Sequence, residues 1–258
     1  MTELLVWLDE PAEGHANMAA DEVLAGEAVR QNRPLVRFYR WSQMTVSLGA
    51  FQPIATAEAE PAIASLPLVR RPSGGGAIVH GSDLTYAVAV PRDHPWGDRP
   101  QVLYDAFHQS LVDVLGSRGI VARLHPGRGL QENDEGRLLC FDRRARGDLV
   151  VSGPSPDGHK LLGSAQRRLK AAVLQHGSLL LETPRGVGAA AAHAGLFELF
   201  PEARSWPEGA IVAAWLDRLT ATTGVEPRIA GGPFAAAHAD KIAAAAGRFE
   251  DAAWLRRR

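Results

Sequence analysis

From Arg70 to Val90 the chain reads RRPSGGGAIVHGSDLTYAVAV: two arginines, three consecutive glycines, then an alternating apolar run up to Pro91. LTYAVAV reads as a strand that Pro91 stops, and AIVH as a shorter strand, with the His80–Asp83 turn between them. Glycine permits positive φ and close backbone approach. Gly74, Gly75 and Gly76 therefore either wrap a ligand with backbone N–H groups or form a turn before the strand. Arg70 and Arg71 either hold a carboxylate or phosphate or lie solvated.

Around this segment the chain reads as mixed strands followed by helices. Asn17 is a good N-cap for NMAADEVLAGEAVRQN, with Asp21 and Glu22 in the first turns, where the helix dipole favours anions. LVRFYRW and MTVSLGAFQ read as two strands around Ser42 and Gln43. QVLYDAFHQSLVDVLGSRGI is amphipathic, with Val102, Leu103, Phe107, Leu111 and Leu115 on one face, and Gly116 or Gly119 at its end. IVARL, DLVV, KLLGSAQ and AVLQHGSLLL read as later strands. Pro126 to Arg137 reads as a polar loop, and GPSPDG as a turn. From Pro184 the chain turns alanine-rich and helical, most clearly over IVAAWLDRLTATTG and FAAAHADKIAAAAGRFEDAAWLRRR. This order implies an α+β fold, and without an evident linker residues 1–258 are expected to form a single domain with a helical C-terminal part.

Composition excludes several classes. A net charge of −1 over 258 residues gives no global field for nucleic acid. No stretch approaches the ~18 apolar residues of a membrane span. MTELLVWLDEPAEGH lacks the apolar core of a signal peptide. The single cysteine, Cys140, cannot form an internal disulfide. A cytoplasmic protein without membrane or nucleic-acid partners is expected. There is no phosphate-loop, G-x-G-x-x-G, H-E-x-x-H, CxxC or G-x-S-x-G pattern, and the nine histidines are scattered, so no metal site is expected.

Two further features carry chemistry. Basic charge is nearly all arginine, and lysine occurs only at Lys160, Lys170 and Lys241. Lys160 opens a strand-like run that ends in the small residues Gly163, Ser164 and Ala165, and His176 lies in the next apolar run. The lysine is either an exposed hairpin residue or a point charge beside a ligand that small residues let approach. Cys140 is either a small buried hydrophobe or a nucleophile, its thiolate favoured by Arg143, Arg144 and Arg146.

These stretches occur together in one known pattern. NMAADEVL, VRFYRWSQMTVSLGAFQ, VRRPSGGGAIVHGSDLTYAVAV, CFDRRARGDLVV, GHKLLGSAQRR and VLQHGSLLL, in that order from Asn17 to Leu181, resemble the lipoate–protein ligase and octanoyltransferase family. That resemblance implies a biotin/lipoyl protein ligase-like catalytic domain: a mixed β-sheet flanked by helices, with an acyl group in a narrow apolar channel. Arg70, Arg71, Ser73, Gly74, Gly75, Gly76, His80, Gly163, Ser164, Ala165 and His176 would bind substrate. Lys160 matches the family's active-site lysine, and Cys140 stands where one transferase branch carries its nucleophile. In that branch octanoyl passes from acyl carrier protein to a lysine of a lipoyl domain, on 2-oxoacid dehydrogenases or glycine cleavage H protein, without a cofactor. HGSDLTYAVAV, GSAQRR and LQHGSLLL lean toward that branch. DRRARGD after the cysteine and the GPSPDG stretch depart from it, and GGGA is equally a ligase spelling. The alternatives are an ATP- and Mg²⁺-dependent lipoate ligase, an octanoyl amidotransferase, and a non-catalytic acyl- or lipoyl-binding protein. A monomer is expected.

Overall fold

The computed structural model describes residues 3–127, 138–153 and 157–257. The polar loop expected up to Arg137 and the turn expected at GPSPDG fall, for residues 128–137 and 154–156, outside the described residues.

Eight strands form one mixed sheet. They are β1 (Glu3–Leu8), β2 (Leu35–Tyr39), β6 (Asp83–Pro91), β7 (Ala122–Leu124), β8 (Leu149–Val151), β9 (His159–Arg168), β10 (Ala172–Leu180) and β11 (Glu226–Ile229). Their order is β11-β1-β2-β6-β10-β9-β8-β7. β1 runs parallel to β2 and β11, and the other neighbours are antiparallel. A three-stranded sheet holds β3 (Thr45–Leu48) between β4 (Leu68–Arg70) and β5 (Ile78–His80).

The expected strands β5 and β6 flank the His80–Asp83 turn, but the turn passes the chain from the small sheet to the large one. β6 is buried along its whole length, and its two-residue period sorts side chains onto two layers. Tyr86, Val88 and Val90 pack on one face against Phe107 and Leu111 of α4 (Pro100–Ser117) and Trp215 of α6 (Glu208–Thr223). Ala87 and Ala89 face Met18, Leu24 and Ala28 of α1 (Gly14–Gln31), and their small size brings that helix close.

Four expectations are corrected. α1 begins at Gly14, so Asn17 lies inside the helix, not at its cap. Its amide donates to the carbonyls of Ala12 and Arg40, and its Oδ1 accepts from Arg37; fully buried, it ties α1 to β2. Val102 is 42% exposed and does not share the buried face of Leu103, Phe107, Leu111 and Leu115. The helical tail contains β11, whose EPRI sequence carries no apolar alternation because it is an edge strand added to β1. The last expected helix is broken at His238 and Asp251 into α7 (Phe234–Ala237), α8 (Ala239–Glu250) and α9 (Ala252–Arg256). The remaining α-helices among the described residues are α2 (Ile54–Glu58), α3 (Pro95–Asp98) and α5 (Leu196–Leu199), and Cys140–Asp142 form a 3-10 turn. Among the described residues, no helix is long and apolar enough to cross a membrane.

Candidate active site

The glycine segment lies beneath Cys140. Ala77 and Leu139 form a parallel bridge, the Ala77 N–H donates to Leu138, and the Cys140 N–H donates to Ala77. A Cβ on Gly76 would stand 2.9 Å from the Cys140 nitrogen, so only glycine lets the two backbones approach this closely. Gly75 has φ +93°, and its carbonyl sits where a Cβ on Gly49 would fall. The Arg71 guanidinium donates to the carbonyls of Gly74, Gly76 and Ser47, at 2.9, 2.6 and 2.7 Å, and so holds the loop's shape from within. Burial lowers its pKa to about 10, and proximity to Cys140 acts in the opposite direction.

Lys160 crosses to the same place from β9. Its Nζ lies 3.4 Å from Cys140 Sγ, 3.2 Å from the Cys140 carbonyl and 2.9 Å from the Asp148 carboxylate. Burial disfavours the ammonium most, yet Cys140 and Asp148 together outweigh it and raise the lysine pKa. The lysine bends across Gly163, where a Cβ would stand 2.4 Å from Lys160 Cε. The small residue after the lysine thus makes room for the lysine itself. Asp148 is held by the Ala145 N–H at 2.7 Å and the Tyr104 hydroxyl at 3.3 Å. Arg144, expected to favour a thiolate, donates to the carbonyls of Phe141 and Gly158. Lys160 and Arg71 are cations beside the sulfur.

A narrow cavity of ≈ 20 Å³ is lined by Met18, Tyr39, Trp41, Arg71, Ile78, His80 and His176 among others. Ile78 also packs with Phe141, Leu180 and Cys140. Two Ser–His–Asp chains bound the cavity. His80 Nδ1 lies 2.8 Å from Asp83 and its Nε2 2.8 Å from Ser47 Oγ, while the ring stacks on Trp41 at 3.9 Å. A carboxylate only accepts, so Nδ1 carries the proton and the Ser47 hydroxyl donates to Nε2. Burial lowers the His80 pKa. Burial would raise the Asp83 pKa, but His80, Ser178 and Thr85 together bring it down to about 2. Ser73 Oγ contacts His176 Nε2, and His176 Nδ1 lies 3.3 Å from Asp21.

The other candidates divide. Arg70 is fully buried and donates to the carbonyls of Gly49, Gln52 and Leu255. Ala165 lies beside Gly75, 3.9 Å from where its Cβ would stand. Ser164 Oγ joins a buried network under α4, with Tyr86 at 2.8 Å and His108 at 2.6 Å. Asp148, Asp21 and Asp83 were absent from the sequence candidates. The only signal was a carboxylate directly before or inside an apolar run, as in GDLVV and SDLTYAVAV. Among the described residues, no cluster of three or more His, Cys, Asp or Glu is arranged to hold a metal ion.

His108 gives the site's support a pH dependence. Its Nδ1 donates to the Gly147 carbonyl, next to Asp148, and burial holds its pKa at about 4. Below pH 6.5 the unfolded chain binds this proton while the folded chain does not until about pH 4. Stability therefore falls as pH drops through that window. Urea denaturation at pH 7 and pH 5 is expected to show about 2 kcal/mol lost from this ring, with a shallower loss in His108→Gln. Equal losses in both proteins would remove the assignment.

Known proteins share these features. Residues 13–193 match the lipoyl protein ligase A/B catalytic domain. The chain is 34% identical over 194 residues to an octanoyltransferase LipM of Staphylococcus epidermidis, covering 70% of this chain and 67% of that protein. It is 34% identical over 176 residues to the Bacillus subtilis protein of the same name, covering 64% and 61%. The match thus spans about three fifths of the length of most of these relatives. A putative lipoate protein ligase from T. acidophilum superposes with a TM-score of 0.70 at 21% identity, covering 99% of each chain. A lipoate-protein ligase A bound with ATP gives 0.69 at 21%, again covering 99% of each. These two show the fold expected above, a mixed sheet flanked by helices. The matched span contains the glycine segment, Cys140, Lys160 and His176, and with it the chain belongs to the lipoyl protein ligase A/B catalytic domain family.

Proposed function

We propose that the protein is an octanoyltransferase that moves an octanoyl group from acyl carrier protein to a lysine of a lipoyl domain through a Cys140 thioester. One observation carries this reading: the Lys160 ammonium lies 3.4 Å from the Cys140 sulfur, and Cys140 packs against Ile78, which lines a narrow cavity. The relatives named octanoyltransferase LipM support the substrate class.

The Cys140 thiolate attacks the carbonyl of the donor thioester. A C–S bond forms to the enzyme, the donor's C–S bond breaks, and the donor thiolate leaves and takes up a proton. Thiol replaces thiol at nearly equal energy, so no ATP is consumed. The neutral amine of the acceptor lysine then attacks the acyl-enzyme, forming an amide and returning the thiolate. Lys160 stabilises the sulfur anion as it attacks and the oxyanion of each tetrahedral intermediate. The amine's surplus proton leaves through the cavity's hydroxyl–imidazole chains or through water. The acyl chain lies along Met18, Tyr39, Trp41 and Ile78, where each buried CH₂ contributes ~0.8 kcal/mol. The cavity is short for eight carbons, and Met18, unbranched and adaptable, lines it.

The test is intact-protein mass after mixing with octanoyl–acyl carrier protein without ATP. A hydroxylamine-labile octanoyl adduct is expected on the wild type and not on Cys140→Ser. Absence of the adduct, with modification of a lipoyl domain from free lipoate, ATP and Mg²⁺, would assign the site to an acyl-adenylate ligase and Cys140 to packing.

A further inference from the structure

The C-terminal residues meet the glycine segment at a cluster of arginines. Trp254 of α9 donates its indole N–H to the Arg70 carbonyl at 3.0 Å, and Arg70 Nε donates back to the Leu255 carbonyl at 2.7 Å. Two guanidiniums lie over the same indole, Arg257 at 3.0 Å and Arg248 at 4.4 Å from a ring centroid. Arg167, from β9, donates to the Pro72 carbonyl at 2.8 Å, next to Ser73. The Nη2 of the fully buried Arg70 has no hydrogen-bond partner.

Like charges brought together in this way repel. Burial and the neighbouring Arg167, Arg248 and Arg70 all lower the Arg257 pKa. Of the four cations, Arg248 pairs with a carboxylate, that of Glu22. An arrangement that concentrates positive charge against its own repulsion is stabilised by an anion. Planar guanidiniums are the side chains suited to a phosphate. The backbone that Arg167 holds is also within a bounded distance of the sulfur's neighbour, Gly76. Pro72 and Gly76 are four residues apart, at most ~14 Å even fully extended, and Gly76 lies directly beneath Cys140. A pantetheine arm covers that span.

We propose that Arg248 and Arg257 over Trp254, together with Arg167 at the Pro72 carbonyl, receive the phosphodiester of the carrier's acyl arm at the head of the glycine segment. This rests on the thioester-donor reading above and adds to it the place where the donor is held. The C-terminal residues that supply Arg248, Trp254 and Arg257 lie beyond the span matched to the family. The arginines act on donor capture, while Lys160 and Cys140 act on the acyl group.

The experiment measures binding without turnover, on Cys140→Ser protein, by calorimetry with 4′-phosphopantetheine and with pantetheine. These two differ only in the phosphate. The phosphorylated compound is expected to bind about tenfold more tightly, and raised salt is expected to erase the difference. Arg257→Gln combined with Arg167→Gln is expected to lose it while the melting temperature stays near that of the parent. Equal binding of the two compounds, or a difference that survives in the double variant, overturns the proposal. So does competition by inorganic phosphate at equal affinity, which marks a free-anion site, or tighter binding of ATP, which marks a nucleotide site. Failure of the thioester route registers separately, as a missing adduct on wild-type protein.

Discussion

Replacing Lys160 with alanine is expected to slow acylation of Cys140 by about two to three orders of magnitude, the scale on which removal of one preorganised oxyanion donor acts. The ammonium donates to the sulfur at 3.4 Å, and Asp148 holds it at 2.9 Å. The same change leaves Asp148 buried without its cation, which costs about 3–5 kcal/mol of stability. Two effects are therefore mixed in the single variant. Lys160→Met combined with Asp148→Asn separates them, because it removes both charges together. That protein is expected to melt near the wild-type temperature and still acylate slowly. Single-turnover mass spectrometry with an octanoyl thioester reads the rate, and thermal melting reads the stability. A double variant that is stable and acylates at the wild-type rate would make Lys160 a structural cation only. Asp148→Asn alone is expected to give an intermediate rate, since Lys160 stays but loses its orienting partner.

The parts of this site legible in the sequence were those whose chemistry is local. Three glycines in a row announce a backbone that must bend or be approached, and Gly76 beneath Cys140 has that role. A lone lysine before G-S-A marks a charge with small residues around it, and Gly163 is the position the lysine folds across. The residues that read wrongly were those whose partners are distant in the chain. Asn17 looks like a cap because capping needs only the next three residues, whereas its partners Arg37 and Arg40 lie on and after β2. Asp21 looks like a first-turn anion serving the helix dipole, but it binds Arg37, Tyr39 and His176. Asp148 looks like a solvated charge after an arginine run, and only the fold brings Lys160 to it. The sheet was legible strand by strand through two-residue alternation in β2, β6 and β10. β11, four residues with a proline and two charges, carries no such alternation and forms by pairing with β1. The division into two sheets follows from the turn at Gly81, whose φ of +122° no local apolar pattern encodes.

Arg37→Met is expected to produce the largest loss of stability of any substitution outside the reacting pair. The guanidinium is 1% exposed and binds two carboxylates, each 0% exposed: Asp9 at 2.7 Å and Asp21 at 2.9 Å. It also donates to the carbonyl and Oδ1 of Asn17 and lies over the Tyr39 ring at 3.9 Å. Methionine replaces the aliphatic stem but leaves two buried anions facing each other without a cation. Breaking one such pair costs about 3–5 kcal/mol, a large share of the roughly 5–15 kcal/mol that holds a domain folded. The urea midpoint is expected to fall steeply. Adding Asp9→Asn and Asp21→Asn to Arg37→Met is expected to recover most of the loss, because neutral amides need no counter-charge. Arg37→Lys should recover little, since one ammonium lacks the fork that reaches both carboxylates and Asn17. The effect also extends to the cavity, for Asp21 orients His176, which contacts Ser73 beside the glycines. The triple variant is thus expected to be stable yet slower in passing octanoyl to the acceptor amine, with acylation of Cys140 less affected. A single Arg37→Met protein within 1 kcal/mol of wild type would mean that the carboxylates take up protons instead, and that the triad is not what ties α1 to the sheet.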